Sequence, residues 1–267
     1  MNSTPLSARA FASSDADPAR TDERRRFSNH ARLLVAAGAL VLLLGTFDHA
    51  LWIPDEPRVA EIAREIGAGP SLFVPTLNGK PFLEKPPLYF WLTKAAMVVA
   101  GPDAVRLPSV LLAIGTALAA LAAAARAFGA RAGVAAFFLT AYSAQWLATG
   151  HRVIVDTALA FGVAVALVGV QWWTDPRHPR DRRIGVLAFH LGALFAFWSK
   201  GPVGLVFSYA TLAGTILLTR QWGILRDLRL WIGGVLVALG SASWFLAVWQ
   251  ADPSGDLVLD SIQRNVL

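Results

Sequence analysis

Three short polar runs stand out: Asp55-Glu56-Pro57-Arg58 and Glu84-Lys85-Pro86-Pro87, which place carboxylates beside cations, and Asn78-Gly79-Lys80-Pro81 between them. Further along come His151, Arg152 and Asp156, and then Lys200-Gly201-Pro202. All of them border apolar stretches, where ionisable groups are costly and tend to mark function. Carboxylates mixed with Lys and Arg in one concavity can handle a phosphate and a hydroxyl together, the cations neutralising the phosphate and a carboxylate acting as base. Each residue also has a plainer account. Asp55 can cap a helix and pair with Arg58, Glu84 and Lys85 can be a solvated pair before a Pro-Pro stop, and Arg152 and Asp156 are spaced for a helix-surface ion pair. Lys200 can be a snorkelling anchor, and His151 a loop residue. No phosphate-binding Gly-rich loop, dinucleotide fingerprint, HExxH or nucleophile elbow is present.

The elements that must position these residues are membrane helices. Of 267 residues, 55% are hydrophobic and 16% charged, with a mean hydropathy of +0.50, whereas a soluble domain carries about 25% charged residues. Apolar runs occupy roughly 33–46, 105–125, 132–149, 153–173, 184–198, 202–219 and 230–250. The reading is an all-α polytopic membrane protein with about seven transmembrane helices, each needing about 20 mainly apolar residues. The net charge of +6 does not point to nucleic acid, because the basic residues fall in short loops between spans, as positive-inside topology requires. With no Cys, disulfide scaffolds, thiolate catalysis and Cys-ligated metals are excluded.

Loop charge sets the topology. Residues 1–32, ending in Arg24-Arg25-Arg26 and Arg32, read as a disordered cytoplasmic tail, and 33–267 as the membrane domain. If the apolar run 88–101 does not cross, the tail, Arg126–Arg131, Arg177–Arg183 and Arg220–Arg229 share the cytoplasmic side. The external side then receives the long first loop 52–104, the turns near His151 and Ser199, and the segment from Ala251. Two helices are expected to lie on the membrane within that loop. One spans 88–101, opened by Tyr89, Phe90 and Trp91. The other follows Asp55, with Val59, Ile62, Ala63 and Ile66 on one face, Asp55 as cap, and Gly67 and Gly69 as stop.

The strings Ile53-Pro54-Asp55-Glu56-Pro57-Arg58, Leu77-Asn78-Gly79-Lys80-Pro81-Phe82-Leu83-Glu84-Lys85-Pro86-Pro87-Leu88-Tyr89 and Arg106-Leu107-Pro108-Ser109 resemble the first external loop of a known group. That group is the bacterial lipid A aminoarabinose transferases and their relatives of the protein mannosyltransferase type. Asp156 and Lys200-Gly201-Pro202 fit the same order of features over about 50–267. The resemblance implies a GT-C-like fold in the bacterial inner membrane with a periplasmic active site. It implies a sugar donor on a polyprenyl (undecaprenyl) phosphate and an acceptor such as lipid A or protein. Asp55, Glu84 and Asp156 are the implied catalytic carboxylates, and Arg58, Lys85, Tyr89, Arg152 and Lys200 the expected substrate contacts. No cofactor is required on this reading, although Asp55 and Glu84 are hard oxygen ligands to which a divalent metal is suited. Family members are longer, so the chain is expected to be a fragment, a truncated product or a short member. A lipid-linked sugar transporter and an inactive scaffold are the competing functions. A transporter tends to carry midplane charges and repeated broken helices, and neither is visible here.

Overall fold

The computed structural model describes residues 18–47, 50–67 and 71–256. Its elements are α1 (Pro18–Leu42), α2 (Asp55–Glu65), β1 (Thr76–Leu77), β2 (Lys80–Pro81), α3 (Leu88–Ala100), α4 (Leu107–Phe128), α5 (Ala130–Ala141) and α6 (Ala144–Gly150). They continue with α7 (Asp156–Thr174), α8 (Arg182–Lys200), α9 (Pro202–Thr219) and α10 (Leu228–Ala251). The chain divides into two compact units, Met1–Val41 and Leu42–Leu267. The first carries most of α1, so the segment from Pro18 to residue 32, expected to be disordered, is helical. Pro is preorganised for a first helical turn, and the Ala, Glu and Arg residues that follow are good helix formers. The rest of the expected tail, 1–17, lies outside the described residues.

The second unit is an all-α polytopic bundle. Among the described residues four helical stretches are long and apolar enough to cross a membrane: Pro102–Phe128, Asp156–Thr174, Pro202–Thr219 and Leu228–Ala251. The expected run 184–198 is α8, and 33–46 falls on α1 and the turn after it. The expected continuous span 132–149 is two helices, α5 and α6, broken at Tyr142 and Ser143. Together they still run the length of α4. A Cβ on Gly133 would meet Leu121 and Ala125, and the Trp146 indole donates to the Ala113 carbonyl at 3.2 Å.

Helices α7 and α8 form the tightest pair, antiparallel and with backbones in contact. A Cβ on Gly169 would lie 2.3 Å from Phe189 N, and one on Gly185 2.4 Å from Trp173 N. Small residues at such crossings let membrane helices approach without side chains between them. Gly162 against Ala196 and Gly192 against Ala166 continue the same register. Since α7 begins at Asp156 and α8 ends at Lys200, this register brings the two residues together at one end of the bundle.

The basic loops gather at the other end. Arg126 bonds Asp175 at 2.9 Å and Asp181 at 2.8 Å, Arg177 and His178 also hold Asp175, and Arg182 pairs with Asp227 at 2.8 Å. Hydrogen bonding from Arg177, with help from His178 and Arg126, holds the Asp175 carboxyl well below the usual carboxylate range, against the opposing effect of burial. Charge that the loops concentrate is thus neutralised locally.

Loop 52–104 folds onto the first-described end. Val59, Ile62 and Ala63 of α2 and Ile66 just after it are buried, as their spacing predicts, and Val59, Ile62 and Ile66 share a core with Phe82, Tyr89 and Phe90. Gly67, at φ +84°, follows the helix; Gly69 is outside the described residues. Asp55 does not cap α2. It is the first helical residue, after Pro54, and no side chain caps that terminus. Residues Asn78 and Gly79, both at positive φ, turn a two-residue hairpin between β1 and β2, the turn that an Asn-Gly pair favours. The Glu65 carboxylate anchors it to α2, accepting from Thr76 Oγ1 at 2.6 Å and Gly79 N at 3.2 Å. At 13 residues, α3 is about 20 Å long, short of the hydrocarbon thickness of about 30 Å. Trp91 of α3 stacks on Trp198 of α8, with Phe73 edge-on to both rings.

Candidate active site

Five of the expected residues form one charged neighbourhood. Asp156 opens α7 and Lys200 closes α8, each at the helix end whose dipole favours its charge, and the Lys200 ammonium donates directly to the Asp156 carboxylate. Pro86 lies against Gly201, 3.9 Å from where a Cβ would stand, so the Glu84–Pro87 loop rests on the α8–α9 turn. That places Lys85 among Arg58, Glu84, Lys200 and Asp156. Burial pushes the Lys85 ammonium below the usual lysine range, and the Arg58 and Lys200 charges push it further, against the pull of Glu84 and Asp156. The three cations stand among three carboxylates, Asp55, Glu84 and Asp156, a cluster of mixed charge in which a phosphate oxygen can take the place of a carboxylate.

Asp55 lies one helical turn before Arg58, and the two carry a 2.8 Å ion pair with both side chains open to solvent. Glu84 is exposed. Among the described residues no group of three or more His, Asp or Glu side chains is arranged to hold a metal ion. The divalent site expected at Asp55 and Glu84 does not fit this donor set, because Asp55 is engaged by Arg58 and no third carboxylate joins the two.

Of the other expected substrate contacts, Tyr89 lies in the core and Arg152 is exposed beside Trp52. Tyr89 is fully buried, and its hydroxyl shares a 2.6 Å hydrogen bond with Ser109 Oγ. Burial pushes the phenol well above its ordinary pKa. Ser109 is reached in turn by Thr157 Oγ1 at 3.3 Å, so Tyr89 knits α3, α4 and α7 together out of reach of any substrate. Arg152 lies 5.5 Å over the Trp52 ring, while Asp156 pairs with Lys200. His151 bridges backbone, with Nε2 at 3.0 Å from Leu42 O and Nδ1 at 2.9 Å from Leu147 O.

The spacing gives no hint of the pair that shapes this end. Glu56, next to Asp55, is buried, as is Arg106, and they meet at 2.6 Å. The same carboxylate accepts from Trp52 N at 2.7 Å and Val153 N at 2.8 Å, while Arg106 donates to Ala50 O at 2.8 Å. Burial alone would push the Glu56 carboxyl up, but the bonds from Arg106, Trp52 and Val153 and the Arg106 charge outweigh it and hold it below the usual range. Glu56 thereby ties the entry of α2 to the start of α4 and the approach to α7. Both residues stand in the strings that carry the family resemblance, the only signal that could have found them.

The sequence profile of the dolichyl-phosphate-mannose-protein mannosyltransferase family matches residues 84–247. The undecaprenyl phosphate-alpha-4-amino-4-deoxy-L-arabinose arabinosyl transferase 2 of Proteus mirabilis (strain HI4320) is 28% identical, over 84% of this chain and 41% of its own length. The crystal structure of ArnT from Cupriavidus metallidurans in the apo state superposes with a TM-score of 0.77 at 28% identity, covering 86% of this chain and 43% of that one. Its counterpart bound to undecaprenyl phosphate gives 0.74 at 29% identity, covering 84% and 42%. The chain spans about two fifths of the length of the curated relatives it matches.

Proposed function

Since this chain belongs to the dolichyl-phosphate-mannose-protein mannosyltransferase family, we propose that it carries the donor-phosphate end of a glycosyltransferase site, taking a sugar from a polyprenyl phosphate such as undecaprenyl phosphate. The observation that carries this reading is the convergence of Arg58, Lys85 and Lys200 with Glu84 and Asp156 at one end of the bundle. The family membership and the undecaprenyl phosphate bound by the Cupriavidus metallidurans relative support it. In a bacterial inner membrane the Arg-rich end lies in the cytoplasm by the positive-inside rule, and the site faces the periplasm.

The chemistry follows from the leaving group. Attack on the anomeric carbon breaks its bond to the lipid phosphate, and negative charge builds on the departing oxygen. Preorganised cations lower that barrier more than a proton donor would, because a phosphate is a fair leaving group at neutral pH. Lys85 and Arg58 fill this role. Lys200 holds Asp156, and the two complete the wall. A hydroxyl acceptor needs a base, and Asp55 is accessible enough to serve; a phosphate acceptor such as one on lipid A is already ionised and needs positioning. Glu84 orients the acceptor at the loop edge.

The experiment is a transfer assay on the protein reconstituted in vesicles with undecaprenyl-phosphate-linked aminoarabinose and lipid A. Release of undecaprenyl phosphate coupled to appearance of modified lipid A supports the reading. Translocation of the intact donor without bond cleavage sinks it in favour of transport.

A further inference from the structure

At the end of the bundle remote from the candidate active site, α8 and α10 enclose a cavity of about 300 Å³ with almost wholly apolar walls. Arg183 and Arg229 line it, with Leu187, Leu191, Ile232 and Leu236 beneath. Those four side chains are exposed, so the cleft opens to the surface that lipid would cover. Helices α8 and α10 both start at this end, joined by the ion pair of Arg182 with Asp227. That pairing consumes the nearby carboxylate. Neither Arg183 nor Arg229 has an ion partner among the described residues, in contrast to Arg126, Arg177 and Arg182 at the same end.

A second polar group in the cleft is also unmet. His190 is 7% exposed, and its Nε2 has no hydrogen-bond partner. Its Nδ1 lies 2.8 Å from the Val186 carbonyl, which can only accept, so Nδ1 donates. In the neutral ring Nε2 is then an acceptor, placed two helical turns deeper than Arg183. The ring fits there because Gly233 faces it, where a Cβ would stand 2.4 Å from Nε2. Unsatisfied polar atoms in such a site call for a ligand or an accompanying water.

We propose that this cleft binds an anionic phospholipid. The phosphodiester sits between Arg183 and Arg229 at the headgroup level, and an acyl chain follows the Leu187, Leu191, Ile232 and Leu236 wall. A water entering with the lipid donates one hydrogen to His190 Nε2 and the other to a glycerol ester carbonyl. Basic pockets between membrane helices recognise anionic lipid headgroups in this way. Two unpaired guanidinium groups match a phosphodiester, whereas a zwitterionic lipid carries its own cation into the same space.

The test is native mass spectrometry of the full chain released from vesicles of phosphatidylglycerol mixed with phosphatidylcholine. Wild type retains phosphatidylglycerol preferentially, and the double variant Arg183→Gln/Arg229→Gln loses about thirty-fold of that preference. Arg180→Gln/Arg226→Gln removes the same charge from exposed positions outside the cleft and keeps it. Equal loss in both double variants, or no preference in wild type, overturns the site. Release of the lipid by excess inorganic phosphate shows a soluble-anion site and also overturns it. Helicity by circular dichroism and undecaprenyl phosphate binding at the opposite end should be unchanged in both variants, which separates failure here from failure of the donor site.

Discussion

At the scale of single residues, neighbours in sequence have opposite fates. Asp55 is open and paired with Arg58, an exposed contact worth about 0–1 kcal/mol, whereas Glu56 is sealed under three partners, Trp52, Arg106 and Val153. Asp55→Asn should leave thermal stability nearly unchanged, the more so because Asp55 makes no cap bond. If Asp55 serves as base, turnover of a hydroxyl acceptor falls by about 10²–10⁴-fold, and full turnover in a transfer assay removes that role. Glu56→Gln strips Arg106 of its counter-charge and should cost about 3–5 kcal/mol, as breaking a buried pair does. The pH dependence has a definite sign. Because the folded Glu56 carboxyl is held below its ordinary value, its stabilisation is present above the unfolded pKa of about 4.3. It is lost as pH falls through the lowered folded value. Acid unfolding followed by tryptophan fluorescence should therefore be less steep in Glu56→Gln than in wild type; identical slopes exclude Glu56 as a contributor.

At the scale of elements, legibility followed locality. The buried face of α2 was readable because Val59, Ile62, Ala63 and Ile66 repeat with the helical period, a property of eight consecutive residues. The partnership of Glu56 with Arg106 was not, since it joins residues fifty positions apart and leaves no periodic trace. Tyr89 was an expected substrate contact through the resemblance alone; in three dimensions α3 turns it inward onto Ser109. The Asn78-Gly79 hairpin carried a clear local signal that a reading by helical spans passes over. The break between α5 and α6 was hidden for a related reason, since hydropathy averages across Tyr142 and Ser143. The α7–α8 register matters most for the site, because it sets Asp156 against Lys200. Gly169→Leu forces a side chain into the Phe189 backbone and should cost at least about 1–3 kcal/mol by overpacking. Thermal unfolding in detergent reads the loss, and donor affinity should fall with it as the two helix ends separate. Unchanged stability would show that the close crossing is dispensable.

At the scale of the whole molecule, the two ends of the bundle differ in kind. One pairs Arg126, Arg177 and Arg182 with Asp175, Asp181 and Asp227, while the other gathers Arg58, Lys85 and Lys200 with Glu84 and Asp156 at the external loop. The chain has no native Cys, so single cysteines report sidedness directly. Asp103→Cys should react with an impermeant thiol reagent in intact cells, and Arg180→Cys only after permeabilisation; both positions are exposed. Protection of Asp103→Cys in intact cells would put the loop on the wrong side. The most direct test of the account is the affinity of the reconstituted chain for undecaprenyl phosphate across pH, in wild type, Lys85→Ala and Lys85→Arg. Charged hydrogen bonds are worth about 1.5–3 kcal/mol, so Lys85→Ala should bind about ten-fold to a hundred-fold more weakly with its fold intact. Because the free Lys85 ammonium titrates below the ordinary lysine value, wild-type affinity should decline on raising the pH before about 10.4 is reached, and Lys85→Arg should abolish that decline. Equal affinity in wild type and Lys85→Ala at neutral pH would contradict the claim that this cluster holds the donor phosphate.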